Sequence, residues 1–144
     1  MIALTPGLRA ALRANGDASR LAGAEDGSFD PAPLLKLFSP MGAATWLATE
    51  LYEDGDTLFG LADLGFGCPE LGVFSLSEIA SVRLPFGLAI ERDLHFVTPF
   101  RLSVWAEWSR RAGSIVFAET LLARVAHGHA SLDLPPSGSK PGGG

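Results

Sequence analysis

The chain has 144 residues, of which 47% are hydrophobic and 19% charged, a composition that supports one globular domain and excludes a wholly disordered chain. The net charge of −5 argues against general nucleic-acid binding, and the single cysteine excludes an internal disulfide or a cysteine-based zinc site. We expect the reducing cytoplasm as its compartment, and we predict neither a signal peptide nor a membrane span.

The first predicted element is a short N-terminal helix. Thr5 is suited to cap it, Pro6 to its first position, and Asn15-Gly16 to a left-handed stop. Residues 17–33 are rich in turn-forming residues and predict a loop, after which the apolar run 34–38 predicts a strand. Three arginines make this end of the chain basic: Arg9, Arg13 and Arg20.

The centre of the chain predicts a β-hairpin. Asp54-Gly55 separates residues 44–53 from residues 56–64, and this dipeptide favours a two-residue turn between antiparallel strands. Such a turn would pair Leu51 with Leu58, Glu50 with Phe59 and Trp46 with Asp63. The face expected to be core carries Leu47, Thr49, Leu51, Leu58, Ala62 and Leu64. The opposite face is aromatic and acidic, and carries Trp46, Glu50, Tyr52, Phe59, Leu61 and Asp63.

A loop, a short helix and a strand are predicted next. Residues 65–72 contain too much Gly and Pro for a regular central strand and predict a shaped loop. Ser75 and Glu78 have the spacing of a capping box, which predicts a short helix to about residue 82. Residues 88–96 alternate well enough to predict another strand.

Two more helices are predicted before the composition changes. Thr98-Pro99 begins the first, which Gly113 ends, and the second covers residues 115–127. The sequence therefore predicts one α+β domain over residues 1–128, in which short N-terminal and C-terminal helices pack on a small antiparallel sheet with a central hairpin. Residues 129–144 are rich in Gly, Pro and Ser and predict a disordered tail.

Several stretches of the chain occur together in one order. They are Leu34-Leu35-Lys36-Leu37-Phe38, Thr45-Trp46-Leu47-Ala48-Thr49-Glu50-Leu51, Asp54-Gly55-Asp56-Thr57-Leu58-Phe59-Gly60-Leu61, Pro69-Glu70-Leu71-Gly72, Ser75-Leu76-Ser77-Glu78 and Ile90-Glu91-Arg92-Asp93-Leu94-His95-Phe96. In this order the chain resembles, over about residues 4–115, the uncharacterised bacterial family DUF2958. The resemblance implies a small protein carried on plasmids and integrative elements, and it implies no particular chemistry.

Charge is distributed unevenly along the chain. Between Lys36 and Arg83 there are seven acidic residues and no Lys or Arg. These acids are typical of a solvated hairpin tip, but they are also what a surface for a basic partner requires. A third interpretation is a site for Mg²⁺ or Ca²⁺ built from Glu50, Asp63 and Glu70, because both ions prefer oxygen ligands.

The triplet Glu91-Arg92-Asp93 lies inside the otherwise apolar segment predicted as a strand. We interpret it as part of a structural ion-pair network in which Arg92 binds a carboxylate of the hairpin or of the loop after it, Glu50, Glu70 or Asp63, and most simply Glu50 or Glu70. The alternative interpretation is a general acid–base cluster of Glu91, Asp93 and His95 on one face of the strand.

These patterns together favour a non-enzymatic accessory protein of a mobile element, without a cofactor. It would bind a protein partner, basic or associated with nucleic acid, through the hairpin residues Trp46, Glu50, Tyr52, Asp54, Asp56, Phe59 and Asp63. One alternative is a small metal-dependent enzyme with Glu50, Asp63 and Glu70 as ligands and His95 as base. Another is a nucleic-acid-binding protein whose patch combines Arg9, Arg13, Arg20, Arg110 and Arg111.

Overall fold

A five-stranded antiparallel sheet organises the fold, and a computed structural model describes it over residues 2–22 and 29–128. The elements in chain order are α1 (Pro6–Ala22), β1 (Leu35–Phe38), β2 (Thr45–Leu51), β3 (Thr57–Asp63), β4 (Glu70–Ser75), α2 (Leu76–Ala80), a 3-10 turn (Pro85–Gly87), β5 (Glu91–Arg92), α3 (Leu102–Ala112) and α4 (Ile115–Ala126). The strand order is β4-β3-β2-β1-β5. This architecture confirms the predicted α+β class, and the predicted tail lies outside the described residues.

Helices cover both faces of the sheet, so the protein has two apolar cores. On what we call the first face, Leu12 of α1 packs with Leu51 and Leu58 of the hairpin. On the second face, α3 and α4 pack with Leu47 and Leu61. The sequence analysis assigned only one hairpin face to the core, whereas a sheet between two helical layers buries apolar side chains on both faces.

The hairpin of β2 and β3 confirms the pairing predicted nearest its turn. The confirmed pairs are Leu51 with Leu58 and Glu50 with Phe59. The turn itself is longer than predicted, because the N–H of Tyr52 donates to the carbonyl of Thr57 at 2.8 Å. This bond leaves residues 53–56 in the turn instead of Asp54-Gly55 alone.

A β-bulge in β2 overturns the pairing predicted farther from the turn. The register shifts between Ala48 and Glu50, so Trp46 pairs with Ala62 instead of Asp63. One extra residue reverses the alternation of side chains along the strand. Trp46 consequently lies in the first-face core with 8% of its surface exposed, and its predicted position on an exposed aromatic face is wrong.

Helix α1 continues past its predicted stop at Asn15-Gly16 and ends at Ala22. Both residues serve the packing of the helix on the hairpin. The side-chain amide of Asn15 donates to the carbonyl of Thr49 at 2.9 Å. A β-carbon on Gly16 would lie 2.5 Å from the carbonyl oxygen of Leu51, so only glycine allows α1 this close to β2.

The two outer strands differ most from their predictions. Strand β4 occupies Glu70–Ser75, part of which was predicted to be a loop. Strand β5 is only Glu91–Arg92, so the strand predicted over residues 88–96 is mostly irregular. Its position at the far edge, beside β1, follows from tertiary pairing that local alternation does not specify.

The remaining helices confirm most of the sequence signals at their ends, but α3 begins at Leu102 and not at the predicted Thr98-Pro99. The Ser75 hydroxyl accepts the N–H of Glu78 at the start of α2, and Gly113 is left-handed after α3. Helix α4 belongs to the second-face core, where Ile115, Ala118 and Leu122 are buried. Among the described residues, no helix is long and apolar enough to cross a membrane.

Candidate functional site

The acidic tip of the hairpin faces the basic side of α1. Arg9 and Arg13 donate to the hairpin carbonyls of Gly55 and Leu51, at 3.2 and 2.8 Å. Arg20 lies 3.7 Å from a carboxylate oxygen of Glu53. The sequence presents the three arginines of α1 and the acidic residues between Lys36 and Arg83 as separate features. In the fold, these two groups balance part of each other's charge.

Asp54 and Asp56, both predicted to bind a partner, hold the turn and the start of α2. The Asp54 carboxylate accepts bonds from the hydroxyl and N–H of Thr57 and from the N–H of Asp56, which lowers its pKa. The Asp56 carboxylate accepts the Ser75 hydroxyl at 2.6 Å and the N–H of Ser77 at 2.8 Å, and its pKa is lowered mainly by the Ser75 bond. Both acids have structural partners.

Asp63 is fully buried beneath the start of α4, with 0% of its surface exposed. One carboxylate oxygen accepts the N–H of Gly65 and the other accepts the N–H of Ile115, each at 2.9 Å. The first N–H groups of a helix have no acceptor within the helix. Asp63, at the end of β3, provides an acceptor for the N–H of Ile115. Asp63 and Trp46 are therefore not available to a docking partner.

The part of the hairpin that stays accessible lies at its turn end on the second face, beyond the start of α3. Glu50, Phe59 and Val73 are directly opposite one another on β2, β3 and β4, and thus share a face. Leu71 lies on the same face of β4, and Tyr52 follows at the end of β2. We call these five residues the open hairpin surface, in which Glu50 is buried and the other four are partly or well exposed.

A cleft of about 210 Å³ lies within this surface. Glu50, Phe59 and Leu71 form its sheet side, and Leu102 and Ser103 at the start of α3 form the opposite side. Leu71 and Val73 have 48% and 59% of their surfaces exposed, so the cleft continues into an apolar patch. Tyr52, at 39% exposure, adds an aromatic group with a hydroxyl.

Glu50 is the unusual group of this surface, because only 7% of it is exposed. Burial raises its pKa, and a hydrogen bond with Ser19 partly opposes that rise. None of the salt bridges among the described residues involves Glu50. The pKa of Tyr52 is also raised, by burial and by the nearby charge of Glu50. Within the part of the chain that the structure describes, Glu50 is thus a desolvated carboxylate without an ion-pair partner.

The predicted metal ligands do not converge. Glu70 is opposite Ala62 of the first-face core, whereas Asp63 bonds α4 on the second face. In the ranges that the structure describes, no group of three His, Cys, Asp or Glu residues is arranged to hold a metal ion. Glu50, Asp63 and Glu70 therefore do not form the carboxylate cluster that the sequence suggested.

The predicted ion pairs of Arg92 are not formed. Arg92 on β5 and Glu70 on β4 lie at opposite edges of the sheet, four strand spacings or ~19 Å apart. The Nε of Arg92 is buried and has no hydrogen-bond partner in the described ranges. The ion pairs in this region belong instead to Lys36, which lies 2.8 Å from Glu119 and 3.7 Å from Asp93.

We expect Arg92→Met to change the free energy of unfolding by less than ~1 kcal/mol, or to raise it. Methionine retains a long apolar stem and removes an N–H that has no partner, so no bond is lost. Urea denaturation measures the difference, with Lys36→Met as the comparison. Lys36→Met should be the more destabilising change because it leaves Glu119 unpaired; a large loss for Arg92→Met would contradict this assignment.

The predicted acid–base cluster is not assembled either. Asp93 and His95 line a cleft of about 280 Å³ beside α4, but the Asp93 carboxylate accepts the backbone N–H of His95 and not its ring. Glu91 is exposed on β5.

The predicted arginine patch also fails to form. Helix α1 packs on the first face of the sheet, whereas α3, which carries Arg110 and Arg111, packs on the second face.

Comparison with known proteins finds one family. The family model described as "Protein of unknown function (DUF2958)" matches residues 3–116, which is most of the chain. No curated protein and no solved structure matched the sequence significantly.

Proposed function

This chain belongs to the DUF2958 family of proteins of unknown function, and we propose that it acts by binding a basic segment of a protein partner on the open hairpin surface. One observation supports the proposal most strongly: Glu50 is a buried carboxylate that has no cation partner among the described residues, and it lies beside aromatic and apolar side chains that are partly exposed. A lysine or arginine of a partner would form a charge-assisted bond there and offset the desolvation of the carboxylate.

The composition of the surface supports a protein partner. Tyr52 and Phe59 provide aromatic contact area, and Leu71 and Val73 provide exposed apolar area next to it. Aromatic and apolar residues are typical of the centre of a protein interface. Nucleic acid is disfavoured, because every charged residue from 37 to 82 is acidic.

The role we propose is that of a non-enzymatic accessory protein, in keeping with the mobile-element setting that the family resemblance implies. The basic partners we consider include proteins that bind nucleic acid, because an acidic protein would cover their basic surface. The expected compartment remains the reducing cytoplasm.

Selection from a random displayed peptide library tests the proposal. The immobilised chain should enrich peptides that carry Lys or Arg beside apolar residues, and Glu50→Gln should lose most of their binding. Glu78→Gln is the matched control, because Glu78 is an exposed acid at the start of α2, away from the open hairpin surface. Enrichment of acidic peptides, no enrichment, or equal binding by Glu50→Gln would overturn the proposal.

Glu50→Gln also has an expected effect on stability. A pKa raised above the ordinary value of 4.5 means that the folded state binds this proton more tightly than the unfolded state, so ionised Glu50 lowers stability at neutral pH. The variant should therefore be at least as stable as the natural chain at neutral pH. The difference should shrink as pH falls through the raised pKa, and disappear below 4.5. Urea denaturation across this range checks the sign, and marked destabilisation at neutral pH would contradict it.

A further inference from the structure

Strand β4 has one free edge in the described part of the chain, where it pairs with β3 alone. The N–H of Leu76, directly after β4, donates to the carbonyl of Asp56, directly before β3. This bond shows that the backbone N–H of residue 76 points toward β3, and so determines which residues of β4 point their backbone groups the same way. In an antiparallel pair these residues alternate. Gly72 and Phe74 therefore bond to β3, and the N–H and C=O groups of Leu71 and Val73 point outward.

This edge has few of the features that usually protect an edge strand: Glu70 is its one charged residue, and Pro69 comes directly before the strand. Residues Glu70–Ser75 contain neither Lys nor Pro, and their register with β3 has no bulge. The side chains beside the outward backbone groups, Leu71 and Val73, are exposed. Such an edge is a template for another extended chain.

We propose that the partner segment adds to the sheet as a sixth strand along the free edge of β4. This inference rests on the proposed function and specifies its binding mode. Main-chain bonds would form with Leu71 and Val73, and apolar side chains of the segment would cover these two residues on the second face. Side chains on the first face would meet Glu70, so the part of the segment that forms the strand alternates apolar and basic residues. The Lys or Arg that bonds Glu50 would come from the continuation of the segment across the second face, beyond this strand.

The space on the first face fits long basic side chains. A β-carbon added at Gly72 would meet no atom within 4 Å, so the surface beside Glu70 is open. Glu70 is exposed and has no salt bridge among the described residues. A second copy of this chain fits less well, because its β4 edge carries the acidic Glu70 and no Lys or Arg that could meet Glu70 of the first copy.

Val73→Pro is the variant that tests strand addition. Proline removes the outward N–H of Val73, which β3 does not use, and proline is tolerated at such edge positions. Val73→Thr is the matched control, because threonine has a similar β-branched shape and keeps the N–H. With the basic peptides enriched by the displayed library, Val73→Pro should lose affinity about tenfold or more, and Val73→Thr by less than about threefold.

A second measurement does not depend on how the variant folds. Addition of the enriched peptide to the natural chain should slow hydrogen exchange at the outward amides of Leu71 and Val73. Binding that Val73→Pro leaves intact, or exchange that stays unchanged at both amides, would overturn strand addition. If Glu50→Gln still abolishes that binding, the proposed function stands and only its binding mode falls. Self-association of the natural chain that Val73→Pro abolishes would identify a second copy as the occupant, and would also overturn this inference.

Discussion

Replacing Gly60 with alanine is expected to remove most or all of the stability of the fold. A β-carbon at this position would overlap the carbonyl oxygen of Leu47 and lie 2.8 Å from the α-carbon of Ala48. Both neighbours are backbone of the paired strand β2, next to the bulge, so neither can move without breaking the central hairpin. We expect a loss of more than ~4 kcal/mol, out of the ~5–15 kcal/mol typical of a domain.

Gly72→Ala is the matched control for this substitution. Gly72 is directly opposite Gly60 on β4, yet a β-carbon there would meet no atom within 4 Å. Alanine at this position should change the free energy of unfolding by less than ~1 kcal/mol. Urea denaturation followed by circular dichroism measures both variants. Equal stability of the two would contradict the close approach of β2 and β3 at Gly60.

The second large effect is expected from Asp63→Ala. The carboxylate bonds the N–H of Gly65 and the N–H of Ile115, and alanine would leave both donors without a partner. The Ile115 bond is buried, and an unsatisfied buried donor costs ~1–3 kcal/mol, so the total loss should be ~2–5 kcal/mol. Thermal and urea denaturation give this value.

Asp63→Asn separates the two bonds. Asparagine keeps one acceptor oxygen and has nearly the same shape, so it should retain one bond and lose roughly half as much stability. Hydrogen exchange in the first turn of α4 should become faster in Asp63→Ala, because its link to the sheet is lost. If Asp63→Ala is as stable as the natural chain, the carboxylate does not anchor α4.

Several signals confined to a few neighbouring residues predicted the structure well, although Asn15-Gly16 does not end α1 and Thr98-Pro99 does not begin α3. The turn dipeptide Asp54-Gly55 marks the hairpin, Ser75 caps α2, and Gly113 follows α3. These signals depend on local backbone geometry and on bonds between residues close in sequence, so the chain itself carries the information. The DUF2958 resemblance over residues 4–115 is likewise confirmed by the match over residues 3–116.

The bulge in β2 explains the largest error in the hairpin. Strict alternation placed Trp46 with Glu50, but the extra residue between Ala48 and Glu50 reverses the faces. Alternation alone cannot reveal a bulge, because it assumes that every residue is paired. The glycine at position 60 was the available signal, since glycine inside a strand marks a bulge or a close backbone approach.

The candidate site was predictable only in part. Glu50, Tyr52 and Phe59 were selected from the hairpin pattern, and the structure keeps them together at its end. Leu71 and Val73 were missed, because the Gly and Pro content of residues 65–72 predicted a loop. The failure of the Arg92 network has a different cause. Ion pairs between distant segments depend on strand order, and β5 lies at the edge opposite β4.

Site-specific photo-crosslinking in cells that express the chain tests the central claim most directly. A photoreactive residue at position 73, on the free edge of β4, should crosslink a partner segment in which Lys or Arg alternates with apolar residues, and Glu50→Gln should reduce the yield. The same residue at position 116 on α4, where Val116 is 44% exposed, is the control and should not capture that segment. Identical products at both positions, or an acidic segment captured at position 73, would contradict the account.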